Sequence, residues 1–178
     1  MNAVFSPIAT NKALSPCGAG SLLRVCSGQS LTQQQIHHHF ADTLQQQGFP
    51  LPICQKVFTL ASEMINNAID HGLLELPSSL KDQEDGFSRF YHLRQQRLQQ
   101  LEQHRQITTS LCWTAPHMPG FLQLQVSHNG RGWHAYNNTA ATNNNLQASG
   151  RGLLLIKALS SHFESLEGGR LTRIRLDY

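Results

Sequence analysis

No stretch of this 178-residue chain approaches the roughly 18 apolar residues needed to cross a bilayer, and no basic segment followed by an apolar run stands at its start. A soluble, unexported cytoplasmic protein without a membrane partner is therefore expected. The net charge of +3 comes from scattered Lys and Arg that form no basic run and have no interleaved aromatics, so nucleic acid is not an expected partner. The four cysteines, Cys17, Cys26, Cys54 and Cys112, lie far apart with no C-x-x-C pair. That spacing argues against a zinc site and a disulfide framework, and reduced thiols are expected. No internal repeat is visible. What remains, with 39% hydrophobic residues, is one globular domain with a sizeable core.

Chemistry concentrates in Glu63-Met64-Ile65-Asn66-Asn67-Ala68-Ile69-Asp70-His71-Gly72. At about 100° per residue, Glu63, Asn66, Asn67 and Asp70 share one arc of a helix, and Val57, Leu60, Ala61, Met64, Ile65 and Ala68 fill the other. A carboxamide oxygen is a hard neutral ligand for Mg²⁺, which keeps waters to share with substrate phosphates. A carboxylate one turn earlier can orient or deprotonate an attacking group. A magnesium-nucleotide site needs that pairing, although a solvated helix face offers the same residue types.

Along the chain, residues 1–20 read as a leader or linker and 21–178 as the domain. Ser21 to Cys26 is a strand, and Ser30-Leu31-Thr32-Gln33 is a capping-box pattern opening a helix through Ile36, Phe40 and Leu44 to Gly48. His37, His38 and His39 follow one another on it, about 100° apart, so they cannot converge on one ion. The Glu63 helix should begin near Pro52 and end at Gly72 in a left-handed cap, with His71 at the negative end of the dipole. A loop over 73–83, a long surface helix to about Gln106, and strands Ile107–Trp113 and Phe121–Val126 follow. A polar segment reaching Ser149 has too little apolar content to bury and is expected to be mobile. Gly150-Arg151-Gly152 opens an apolar helix whose first N–H groups suit phosphate. Two strands joined around Glu167-Gly168-Gly169 close the chain.

In order, Glu63 and Asn67 on a helix, Gly130-Arg131-Gly132 after a strand, a polar segment, and Gly150-Arg151-Gly152 before a helix resemble the GHKL ATPase superfamily. The run Asn67 to Gly72 looks most like the anti-sigma-factor serine kinases and the similar ATPase modules attached to PP2C-type phosphatases. That resemblance implies an α+β fold, a two-layer α/β sandwich whose mixed, mostly antiparallel sheet carries helices on one face. It implies ATP and Mg²⁺ as cofactors, Glu63 as catalytic base and Asn67 as magnesium ligand. Asn67, His71, His128, Asn129, Gly130, Gly132, Gly150, Arg151 and Gly152 would contact nucleotide, under a lid over 134–149. The implied partner is a STAS-type anti-sigma-factor antagonist or a sigma factor, and a homodimer is compatible.

One position departs from the pattern. Where the first glycine box of the family opens with an adenine-reading aspartate, this chain has His128, whose neutral ring offers one acceptor nitrogen and whose protonated ring offers none. Weakened ATP binding is the expectation, and a partner-binding module without catalysis is the alternative function.

Overall fold

The computed structural model describes residues 18–28, 30, 35–132 and 151–178. Its strands are β1 (Gly20–Ser27), β2 (Gln106–Trp113), β3 (Phe121–His128), β4 (His162–Leu166) and β5 (Leu171–Asp177), in the spatial order β1-β2-β3-β5-β4. Each neighbouring pair is antiparallel. The expected mixed sheet is thus antiparallel throughout the described residues: β3 and β4 run the same way, but β5 lies between them. Register sets Leu22, Leu111, Leu124 and Ile174 in one row across four strands, and Cys26, Ile107 and His128 in another. Because directly opposed residues share a face, these rows form the inner surface of the sheet.

Over that surface lies the helical layer of α1 (Ile36–Gln46), α2 (Leu51–Asn67), α3 (Gly86–Gln99) and α4 (Arg151–Leu159). Ile36, Phe40 and Leu44 of α1 are buried together with Cys54, Val57, Leu60, Ala61, Met64 and Ile65 of α2 in one core cluster. The apolar arc read from the sequence is the packed arc. Gly48 closes α1 at φ 85°, with the Phe49 N–H donating to the Leu44 carbonyl at 3.1 Å.

Local expectations fail in four places. Ser30 does not cap α1; its hydroxyl donates to the Ser27 carbonyl at 2.6 Å in a turn after β1, and α1 starts uncapped at Ile36. Gly72 does not end α2 in a left-handed conformation. The helix runs on into a π-helical turn, Ala68–Leu73, and the left-handed residue is Glu75 at φ 52°. The surface helix stops at Gln99, short of the expected Gln106, which is the first residue of β2 and pairs with Ser27. Finally, Cys26 and Cys54 are buried thiols outside any disulfide, whereas Cys112 is disulfide-bonded. Spacing along the chain carried no signal of a disulfide at Cys112.

Asp70 is also placed differently from the expected solvated arc. Its side chain is 11% exposed and accepts from Arg94 Nε of α3 at 2.6 Å. Arg97 of α3 donates to the Leu74 carbonyl and, at 3.0 Å, to that of Glu75. Two arginines thus latch α3 onto the π turn that ends α2.

Candidate functional site

Glu63 and Asn67 stand one turn apart on α2, both partly exposed. The first turn of α4 comes directly against them. A Cβ added to Gly152 would overlap Glu63 Oε2 and lie 3.9 Å from Asn67 Nδ2. A side chain there would have to push aside the Glu63 carboxylate, the far end of a flexible side chain. The structure therefore joins Glu63, Asn67 and Gly152, which are 85 or more residues apart in part of that set, at one end of a helix whose initial N–H groups and dipole favour anions. Arg151 is exposed on the same turn. Gly150 and the expected 134–149 lid lie outside the described residues.

The first glycine pair meets α2 nine residues later. A Cβ on Gly130 would overlap the Gly72 carbonyl, and one on Gly72 would overlap the His128 ring. At 1.5 Å per residue, Glu63 and Gly72 are separated by roughly 13 Å, so one helix carries both ends of an elongated site. Gly132 packs equally closely on the Gly168 carbonyl. The role of Gly72 as a close-approach position was not legible from sequence, which offered helix termination instead.

His128 is the last residue of β3 and continues the inward alternation of Leu122, Leu124 and Val126. It is 8% exposed, and its Nε2 lies 3.3 Å from the Gly169 carbonyl. Burial holds the imidazole below its ordinary pKa; the Gly169 carbonyl works in the opposite direction, and the positive charge of Arg170 adds to the lowering. Asn129 is engaged at both ends of its amide: Oδ1 accepts from Gln106 N–H at 2.9 Å and Nδ2 donates to the His104 carbonyl at 2.7 Å. His71 Nδ1 donates to the Leu76 carbonyl at 2.7 Å, inside the turn that follows α2. Of the three consecutive histidines, His37 and His38 lie together against the Phe58 ring and His39 turns to Arg24.

Beside the first glycine pair, towards the β4–β5 turn, opens a cavity of about 660 Å³ bordered by Arg105, Arg131, Arg170 and Glu167. Arg131 is 82% exposed and reaches Glu75 at 3.5 Å, as a surface charge would.

An antiparallel sheet under helices, with an acid–amide pair in the C-terminal part of α2 and glycines packed beside it and on the π turn that follows, is a two-layer α+β sandwich. The family model described as Histidine kinase-like ATPase domain matches residues 30–177, and the chain belongs to that family. No curated protein matches it.

The residues fit the ATP and Mg²⁺ that this family implies. Asn67 presents an amide of the right hardness, and the cradle at Gly152 sits at a helix N-terminus. Gly130 offers a direct check on the site architecture. Since a Cβ there meets backbone at Gly72, which cannot rotate away, Gly130→Ala is expected to destabilise the fold by about 1–3 kcal/mol. Urea unfolding measures it; an unchanged midpoint would show that the two segments are not packed as described.

Proposed function

We propose that this domain is an ATP-dependent protein serine kinase of the anti-sigma-factor type, acting on a STAS-type antagonist or engaging a sigma factor. The observation that carries the reading is the convergence of Gly152 on Glu63 and Asn67. Bound Mg-ATP would supply the γ-phosphoryl group. Glu63 orients the serine hydroxyl of the partner and accepts its proton. Asn67 would hold magnesium through its amide oxygen, and the N–H groups opening α4 would receive phosphate oxygens. Positioning and fixed charge contribute most of the acceleration in such transfers, which suits a site built around the Glu63 carboxylate and a helix N-terminus. The cytoplasm, where ATP is abundant, is the compartment in which this chemistry would run; no helix among the described residues is long and apolar enough to cross a membrane.

The test pairs calorimetry of Mg-ATP binding with transfer of labelled γ-phosphate to a STAS-domain protein. Nucleotide-dependent labelling of a single serine is the expected result. Tight partner binding with neither nucleotide affinity nor labelling would instead favour a partner-docking module that has kept the fold alone.

A further inference from the structure

We propose that the open edge of β1 is a self-association surface, on which a second copy of this chain adds its own β1 antiparallel, about a two-fold axis at Leu23, so that two sheets become one. Among the described residues β1 is one outer strand of the sheet and β4 the other. The two edges are finished differently. β4 has five residues and carries His162 and Glu164, the latter bridged to Arg173 at 3.2 Å, and a short charged edge of that kind resists further pairing. β1 has eight residues, and its Leu23 is 61% and its Val25 54% exposed. The phase of the ladder shows which backbone groups lie open. Gly28 N–H donates to the Arg105 carbonyl at 3.0 Å, so by alternation Cys26, Arg24 and Leu22 turn their N–H and C=O groups towards β2. Ser21, Leu23, Val25 and Ser27 turn theirs outwards. The exposed apolar side chains and the outward backbone groups therefore belong to the same residues.

This open stretch has defined ends. Ser27 is closed by Ser30, whose hydroxyl accepts from the Ser27 N–H at 3.3 Å and donates to the Ser27 carbonyl at 2.6 Å. At the other end the Ala19 N–H is held by the Trp113 carbonyl at 3.2 Å. What remains runs from Ser21 to Val25 and is centred on Leu23. Such a stretch is complementary to its own copy: Leu23 opposes Leu23 of the second copy, Ser21 opposes Val25, and each opposed pair exchanges two N–H···O bonds. Slipping one step in one direction would set Arg24 against Arg24 and bring Ser21 onto the closed Ser27. Slipping the other way would bring Val25 onto Ala19. On β2 the residues opposite Leu23 and Val25 are the polar Ser110 and Thr108, so an apolar neighbour for Leu23 comes from across the axis. A ladder this short buries less than the roughly 1,200 Å² of standard interfaces, which sets the expected dissociation constant at about micromolar to millimolar.

The experiment is sedimentation velocity of the full chain over a concentration series, read beside NMR amide exchange along β1. The sedimentation coefficient should rise from monomer to dimer, and the Ser21, Leu23 and Val25 amides should gain protection in step with it. Leu23→Lys sets two ammonium groups against each other at the axis, and Leu23→Pro removes an outward N–H while leaving every N–H of the β1–β2 ladder in place. Each should weaken association about tenfold or more. A chain that stays monomeric up to its solubility limit, a dimer that forms without protecting those three amides, or one that persists unweakened in Leu23→Lys overturns the proposal. Protection that appears only when another protein is added overturns it too, since the edge then takes a foreign strand. Exchange in the unmodified chain decides the matter even where Leu23→Pro fails to fold, and no readout depends on nucleotide.

Discussion

A Glu63→Gln protein should bind Mg-ATP as the parent does and transfer phosphate about 10²- to 10⁴-fold more slowly, the range expected when a positioned general base is lost. Glutamine keeps the size and hydrogen-bonding reach of the side chain that Gly152 packs against, so the α2–α4 contact survives. What it loses is the capacity to take a proton. Asn67→Ala should differ in kind: its amide oxygen is the proposed magnesium ligand, so the loss falls on magnesium-dependent nucleotide affinity before it falls on transfer. Calorimetry in magnesium and in EDTA, set beside single-turnover transfer, separates the two effects. Wild-type transfer rates in Glu63→Gln would remove Glu63 as the base.

Arg94→Met is expected to cost about 3 kcal/mol of stability, because it strands Asp70 with a side chain that is 11% exposed. The arginine is itself 22% exposed, which places the effect at the low end for a broken buried pair. Asp70→Leu combined with Arg94→Met should recover much of the loss, since removing both charges also removes the cost of burying them. Urea midpoints for the two single variants and the double variant form the cycle. If both single variants unfold within a few tenths of a molar of the parent, the pair does not latch α3 to the π turn.

Periodicity made most of this fold readable. The 3.6-residue repeat of Val57, Leu60, Ala61, Met64 and Ile65 and the two-residue repeat of Leu122, Leu124 and Val126 reflect burial on one face, and burial is what sequence patterns record. Extending the second repeat by one step would have put His128 inside as well. Pairwise events left no such trace. Nothing in the neighbourhood of Asp70 announces Arg94, 24 residues on, and a glycine that admits a neighbouring ring looks the same in sequence as one that ends a helix. For the site, Glu63, Asn67 and Gly152 were legible as an ordered set of types; that they touch is tertiary information. Ser30 shows the reverse error, a capping signature used for a turn.

The helix that carries Gly152 is lightly moored. Of the nine residues of α4 only Ile156 is fully buried, with Leu153 and Leu159 partly so, while Leu154 is 67% and Leu155 38% exposed. A segment held by so little apolar contact opens at a small fraction of the global unfolding free energy. Its amides should exchange with solvent well before those of α2, whose inner face is sealed along its whole length. Assembly of the phosphate end is therefore a local equilibrium of its own, superimposed on a core that stays closed. Anything that binds across α2 and α4 together would be read out first as slowed exchange in α4.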